Sequence, residues 1–501
     1  MNANLYALFE AHFPSEQEVP CILVPEGPVV HYGDLAEESA RLANALLRAG
    51  CAPGDRVAVQ VDKHWRVLAL YLACLRAGLV YLPLNSGYQK RELQYFFDDA
   101  TPRVIVCRPE ILGTVATIAG DATVLTLDAG GGGELHDRAR GEPAQFETAA
   151  SRPDDLAAIL YTSGTTGRSK GASLTHRNLA SNALALVEAW GFTRGDAVLH
   201  ALPIYHVHGL FVAVHCALLA GARLIWLPKF DAQDVIASLP AATVMMGVPT
   251  FYTRLLAEPA FTRDVCRGVR LFISGSAPLL PETFEAFRAR AGQAILERYG
   301  MTETGMITSN PLDGFRAAGT VGRPLPGVSV RITQGGGETC GRGVVGGVEV
   351  RGPNVFAGYW QMPDKTREEF TADGWFRTGD VGEWVAAGEA RDYLRLVGRA
   401  KDLIISGGLN VYPKEIEERI DAMPGVLESA VIGVPDPDFG EAVTAIVVAA
   451  QGQRVDEAEV VRSLKREIAT FKVPKRVHVV AELPRNAMGK VLKNVLRERF
   501  S

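Results

Sequence analysis

At 501 residues the chain exceeds what one hydrophobic core ordinarily serves, so at least two domains are expected. With 47% hydrophobic and 22% charged residues it reads as globular, and its net charge of −5 argues against a general nucleic-acid binder while leaving room for a locally basic cleft. The seven cysteines are scattered without a CxxC pair, which suggests neither a disulfide framework nor a zinc site and fits a reducing, cytoplasmic setting. No apolar run is long and uninterrupted enough to span a membrane, residues 1–12 lack a leader pattern, and the terminal Arg-Phe-Ser is not a peroxisomal address.

In chain order, residues 32–49 have a helical period, with Leu35, Leu42, Ala43, Leu46 and Leu47 on one face, Asp34 as the cap and Gly50 as the stop. Residues 56–61 read as a strand, 65–77 as a helix closed by Gly78, and 80–84 and 104–107 as short apolar strands. This alternation predicts a parallel α/β layer. Residues 128–155, rich in Gly, Ala and charge, read as a surface loop, and the run Gly130 to Gly133 suggests no chemistry.

A buried strand at 156–160 then leads into Tyr161-Thr162-Ser163-Gly164-Thr165-Thr166-Gly167-Arg168-Ser169-Lys170-Gly171. Small residues let backbone N–H groups approach a phosphate, hydroxyls donate to its oxygens, and the lysine supplies charge. It is not the common P-loop: Ser169 stands where that motif needs glycine, and Lys170 is followed by Gly171 rather than Ser or Thr. Four more strands follow, at 197–202, 242–246, 269–273 and 294–296, each ending in a polar cluster: residues 203–209, 247–250, 274–278 and 297–304. Ligands gather at the carboxyl ends of strands in open α/β sheets, so these clusters are expected to face one crevice.

Beyond Pro353 the segments become shorter and β-like. From residue 404 come a turn at Ser406-Gly407-Gly408, helices at 413–423 and 457–469, and strands at 427–434, 443–449 and 477–480. These describe a small α+β domain of about a hundred residues. The expected division is residues 1–399 and 402–501, with a hinge at about 399–402.

The glycine- and hydroxyl-rich stretch resembles the AMP-binding signature of the acyl-adenylate-forming superfamily, which includes acyl-CoA synthetases, non-ribosomal adenylation domains and luciferases. The resemblance extends over essentially the whole chain through Ser274 to Pro278, Tyr299-Gly300-Met301-Thr302-Glu303, Thr378-Gly379-Asp380, Gly398-Arg399 and Pro484-Arg485-Asn486-Ala487-Met488-Gly489-Lys490. It implies a large N-terminal α/β adenylate-forming domain and a small mobile α+β C-terminal domain. It also implies two half-reactions: a carboxylate attacks the α-phosphorus of MgATP to give acyl-AMP, and coenzyme A then displaces AMP.

ATP or AMP would meet Thr162, Ser163, Gly164, Thr165, Thr166, Gly167, Lys170, Ser276, Ala277, Pro278, Glu297, Tyr299, Thr302, Asp380 and Arg399. The residue types suit this work. Tyr299 offers a flat face to adenine, Asp380 two acceptors to the ribose hydroxyls, and Glu303 a hard oxygen ligand to Mg²⁺. Lys490, Thr302, Glu303 and His206 carry the implied catalytic roles, with Lys490 bridging acyl and phosphate oxygens in the transition state. Lys401 matches the family's hinge position, and Ser406, Gly407 and Gly408 would meet coenzyme A after domain rotation. A lysine acetyltransferase acting on Lys490 is a candidate partner; nucleic acid and membrane are not.

Arg298, just before Tyr299, is the residue most informative about the acid. Superfamily members acting on fatty or aromatic acids usually carry a neutral residue there. The bland alternative is a surface arginine paired with Glu297. The functional reading is a guanidinium for a second carboxylate on the acid. With His206, Ser276 and Met306 it would line a short polar pocket, and residues 296–304, 308–311 and 247–252 resemble malonyl-CoA synthetases. Malonate, and in that family often methylmalonate, is the implied acid. The open alternatives are a synthetase for another short acid, a luciferase-like oxygenase, and a non-catalytic nucleotide sensor. An adenylation domain is disfavoured, since no carrier domain follows Lys490 in this sequence.

Overall fold

The computed structural model describes residues 2–162, 169–334, 337–388, 391–406, 409–437, 439–486 and 489–501. Among them the strands form four sheets. In one, Arg56–Gln60, Val80–Pro83, Val104–Cys107 and Thr123–Thr126 are parallel, as the alternation of helix and strand predicts, and Leu156–Thr162 joins them in parallel through Val80–Pro83. Lys170–Thr175 then turns back antiparallel on Leu156–Thr162. Residues 163–168, lying between these strands, fall outside the described residues, and with them Ser163, Gly164, Thr165, Thr166 and Gly167. Their flanks form a hairpin, whereas a P-loop joins a strand to a helix.

In a second sheet Ala197–His200, Val244–Gly247, Leu271–Ser274 and Leu296–Met301 are consecutive parallel neighbours. Helix Trp65–Arg76 is apolar nearly all round and buried from Val67 to Arg76, as befits a helix enclosed in the core. Its Leu68, Tyr71 and Leu72 join residues of both sheets in one large hydrophobic cluster.

A third sheet holds the long strands Phe376–Ala387 and Arg391–Arg399, antiparallel and in register at Asp380 and Arg399. It begins at Ser329, before Pro353, and its strands are longer than the sequence suggests. The fourth sheet, with Ile404–Ser406, Val426–Asp436, Gly440–Ala449 and Arg476–Val480, packs helices Pro413–Asp421 and Glu457–Glu467 over its own core.

Three local expectations need correction. Within 128–155 the structure has a helix, Glu134–Arg140, with Leu135 and Ala139 buried, acidic residues in its first turn and arginines in its last. The glycines before it wrap the Asp128 carboxylate, which accepts from Gly130 N at 2.8 Å and Gly132 N at 2.9 Å. Asp34 occupies the third position of helix Tyr32–Arg48 and accepts from the N–H of His31, the actual cap, at 2.8 Å. Strand Leu296–Met301 continues through Glu297, Arg298 and Tyr299, which are therefore strand residues rather than part of a cluster beyond its end.

Candidate active site

Parallel pairing places Gly247 beside Ser274, and Ser274 beside Glu297. The polar stretches ending these strands consequently lie side by side, as expected of a crevice at the carboxyl edge of a sheet.

Asp380 is 6% exposed and held between two donors. The Tyr299 hydroxyl donates to one carboxylate oxygen, and Arg399 Nε lies 2.7 Å from the other. Asp380 N donates to Thr378 Oγ1 at 3.0 Å, fixing the turn. Burial, reinforced by the Asp380 charge, holds the Tyr299 phenol well above its usual pKa. Glu303 is 6% exposed and accepts from the Tyr359 hydroxyl at 3.1 Å. Lys170 Nζ stands 4.1 Å from the Tyr359 ring centroid and 3.4 Å from Glu369 Oε1. Burial raises the Glu303 pKa, opposed by its hydrogen bonds and by Arg399 and Lys170, so the site disfavours an uncompensated negative charge there. Glu303 thus fits a hard cation shared with substrate phosphates. Among the described residues no group of three or more His, Cys, Asp or Glu forms a metal cage of its own.

Arg298 is 2% exposed, and its Nε and Nη2 have no hydrogen-bond partner among the described residues. It lies against Gly275, where an added Cβ would come within 2.4 Å of Arg298 Cζ, so only glycine leaves room for it. His206 and His208 are near enough to feel its charge: burial first and Arg298 second lower the His206 pKa to about 4 and that of His208 well below its ordinary value. Both imidazoles are neutral at neutral pH. Ser276, at φ 73°, places its Oγ 3.3 Å from His208 Nδ1, and His208 N donates to His206 Nδ1 at 3.3 Å. Burial lowers the Arg298 pKa to about 9, so the guanidinium remains charged at neutral pH.

Glu297 is not the partner of Arg298. Adjacent strand residues point to opposite faces, and Glu297 Oε1 instead accepts from Leu279 N at 3.1 Å. Burial raises its pKa to about 7, with Lys414 of the C-terminal region the first opposing influence. Met306 is buried and pinned by Asn182, which accepts from its N–H at 3.0 Å and donates to its carbonyl at 2.8 Å.

Thr302 is half-buried, between Tyr299 and Glu303 in the chain. Ala277 and Pro278 follow Ser276 toward Leu279. Thr162 Oγ1 donates to Lys170 O at 3.4 Å across the hairpin.

Lys490 is solvent-accessible but walled by protein. That surrounding, then the Arg399 charge, lowers its pKa to about 8, while Asp380 opposes the shift. The preceding Gly489 approaches Thr250 so closely that an added Cβ would lie 3.2 Å from Thr250 Oγ1; the Lys490 turn therefore rests on the 247–250 cluster. Lys401 is exposed in the short turn Ala400–Asp402, between the Arg399 strand and the C-terminal sheet. Ser406 is buried at 2% exposure, while Gly407 and Gly408 lie outside the described residues.

Sequence reasoning left His208 unassigned and missed Tyr359 and Asn182. The pairing of two histidines in His206-Val207-His208 at a strand end was the available signal for the first. The others act across long sequence separations.

The layers and the Tyr299–Asp380–Arg399 contact, with Lys490 near enough to Arg399 and Asp380 to feel their charges, define an adenylate-forming enzyme. The chain belongs to the AMP-binding enzyme family: its model matches residues 12–360, and the model of the AMP-binding enzyme C-terminal domain matches residues 415–490. A mitochondrial malonate–CoA ligase of Mus musculus is 38% identical, with 94% of this chain and 86% of that protein covered. A feruloyl-CoA synthase of Amycolatopsis sp is 37% identical, with 95% and 94% covered. The crystal structure of ATP-bound MatB from Rhodopseudomonas palustris is 54% identical and superposes with a TM-score of 0.97 over 100% of this chain and 99% of that one. Its apo form, with the same identity and coverage, superposes at 0.86.

Proposed function

We propose that this enzyme activates malonate with ATP as malonyl-AMP and transfers it to coenzyme A, giving malonyl-CoA, AMP and pyrophosphate. The observation that carries the acid assignment is Arg298: a buried guanidinium with two unpartnered nitrogens, set against neutral His206 and His208. One positive charge matches one spectator carboxylate. A monocarboxylic acid such as ferulate, which has no second carboxylate, would leave that charge unpaired, which is unfavourable in a buried place.

In the first half-reaction a malonate oxygen bonds to the α-phosphorus, the bond to the β-phosphate oxygen breaks, and pyrophosphate leaves. Lys490 donates to the acyl and phosphate oxygens as charge develops, with Thr302 beside it. Its proximity to Arg399 and Asp380, and the closer superposition on an ATP-bound relative, support an arrangement suited to this step. Thr162, Lys170 and residues 163–167 would hold phosphate oxygens. Tyr299 would stack on adenine, with Glu297, Ser276, Ala277 and Pro278 at the base, while Asp380 and Arg399 would hold the ribose. Mg²⁺, held by Glu303 and the phosphates, would offset the repulsion between the two anions.

In the second half-reaction the thiol sulfur bonds to the acyl carbon, AMP departs with the electrons of the acyl–oxygen bond, and the thiol proton passes to solvent. Rotation at Lys401 would release Lys490 and bring Ser406, which is buried, together with Gly407 and Gly408 toward coenzyme A. The seven free cysteines support placement in a reducing compartment such as the cytoplasm.

The test is AMP formation with coenzyme A over acetate, butyrate, malonate, methylmalonate, sulfoacetate and ferulate. Malonate should lead. Preference for a monocarboxylic acid would overturn the assignment.

A further inference from the structure

Lys63 is a lysine with no anionic partner among the described residues, held by carbonyls and a histidine instead. It follows strand Arg56–Gln60 of one sheet and reaches the carboxyl ends of two strands of the other. Its Nζ lies 2.8 Å from the His200 carbonyl, 2.6 Å from the Leu227 carbonyl and 2.8 Å from His200 Nδ1. It also sits 4.4 Å from the centre of the Trp226 ring, on which His200 is stacked at 4.8 Å. Among the described residues no carboxylate pairs with it. On its far side His200 Nε2 lies 2.9 Å from the carbonyl of Gly209.

Hydrogen-bond direction fixes the protonation of this chain of contacts. Gly209 O only accepts, so His200 Nε2 must carry a proton. Two carbonyls then face Nζ, and His200 Nδ1 completes the set. Either Lys63 is an ammonium giving three hydrogens, or it is an amine accepting from a doubly protonated His200. In both cases the pair would share one positive charge, which the facing carbonyls favour and which burial opposes by lowering the pKa of Lys63 and of His200 well below their ordinary values. A neutral lysine beside a neutral histidine would set the Nε2 lone pair against the Gly209 carbonyl.

Gly209 closes the loop that presents His206 and His208. The chain is so tight there that an added Cβ would stand 2.1 Å from Pro203 O. Residues His208–Val214 then form a π-helical segment, a geometry with wider turns and few intrinsic preferences holding it in place. We infer that Lys63 and His200 are positioning residues for the acid, pinning the Gly209 carbonyl so that His206 and His208 face Arg298. This rests on the reading of that loop as the acid-binding loop. Neither residue touches the acid; both act through the loop.

The experiment compares Lys63→Met, His200→Phe and His200→Gln in the full-length enzyme, measuring kcat and KM for ATP and for whichever acid of the panel the unaltered enzyme activates. A displacement of about 1 Å at a reacting centre lowers the rate by up to about 100-fold, so kcat/KM for the acid should fall about 10- to 100-fold in Lys63→Met and His200→Phe. KM for ATP should stay near the unaltered value. His200→Gln can still donate to Gly209 and accept from Lys63, and should restore most of the loss. Equal changes for acid and ATP, no change in a folded variant, or a His200→Gln as impaired as His200→Phe would overturn the inference. If Lys63→Met does not fold, the two His200 variants decide by the same criteria. If His200→Phe also fails to fold, the pair is a brace between sheets and the inference is lost. Failure of malonate as substrate would overturn the proposed function alone, because the comparison of acid with ATP is read on any acid the enzyme uses.

Discussion

Replacing Arg298 by glutamine removes a charge at a site where water can do little to compensate, since the residue is 2% exposed. In the complex with malonate, the spectator carboxylate would then be buried without its counter-ion. Breaking a buried pair by removing one member costs roughly 3–5 kcal/mol. Most of that loss persists in the transition state, because the spectator group is not the one reacting. We therefore expect kcat/KM for malonate to fall by about 10²–10³, equivalent to ~2.7–4 kcal/mol. Butyrate, which has no second charge, should lose far less and is expected to gain, as no unpaired guanidinium then faces its methyl group. The free enzyme carries an independent signature. It already holds a buried cation with two unpartnered nitrogens, so Arg298→Gln should leave the unliganded protein as stable as before or more so. The assay is AMP release with each acid, alongside thermal unfolding without ligands. If malonate and butyrate activities drop by the same factor, or the unliganded protein loses stability, Arg298 serves the fold or the ATP site rather than the acid.

Lys490→Ala should slow adenylation by about 10²–10³, in line with loss of one preorganised donor, and spare thioester formation from preformed malonyl-AMP; pyrophosphate release and single-turnover thioester assays separate the two. Lys401→Pro locks φ at the proposed hinge and should retain pyrophosphate release while losing thioester formation, and a variant competent in both steps would place the hinge elsewhere. His215 is 0% exposed, its Nε2 is 2.8 Å from Tyr71 Oη, and burial lowers its pKa to about 3. The unfolded chain binds this proton near pH 6.5 and the folded one does not, so its contribution to stability is full above that pH and falls as pH drops toward 3. Between pH 7 and 5 this amounts to about 2 kcal/mol, and His215→Phe should lose that much less stability than the parent over the same interval in denaturant titrations. Parallel losses in both proteins would mean that His215 is protonated in the fold.

What could be read from the sequence was whatever acts locally. The apolar period of residues 32–49 and 65–77, and the polar stretches closing successive strands, reappear as helices Tyr32–Arg48 and Trp65–Arg76 and a common sheet edge. The helix Glu134–Arg140 escaped because its seven residues bury only Leu135 and Ala139, too few to show a period, behind a glycine run that suggests irregular chain. The side chains that hold the site in place escaped for a different reason. Tyr359 reaches Glu303 over a separation of 56 residues, Asn182 reaches Met306 over 124, and Lys63 reaches His200 over 137. Such pairs exist only once the sheets are assembled, and no local propensity encodes them.

With the roles proposed above, one short stretch, strand Leu296–Met301, would serve both substrates. Its period of two sends Arg298 to one face and Glu297 and Tyr299 to the other, so neighbouring residues in the chain address different parts of the crevice. Pairing with Gly305–Ser309 keeps this sorting: Arg298 is opposite Ser309 and Tyr299 opposite Thr308. At the next step the register shifts, Ile307 is passed over, and Gly300 meets Met306. Only glycine fits there, since an added Cβ would come within 2.2 Å of Gly305 O. The shift ends the regular alternation just before Thr302 and Glu303, leaving them to follow the turn rather than the strand. A one-residue slip in this strand would place the guanidinium on the nucleotide face and the tyrosine on the acid face. The order Arg298, Tyr299, Gly300 is therefore a geometric requirement as well as a chemical one. By the same logic, if Arg298 has the proposed role, acid preference can change at position 298 without disturbing the Tyr299–Asp380–Arg399 contact on the opposite face.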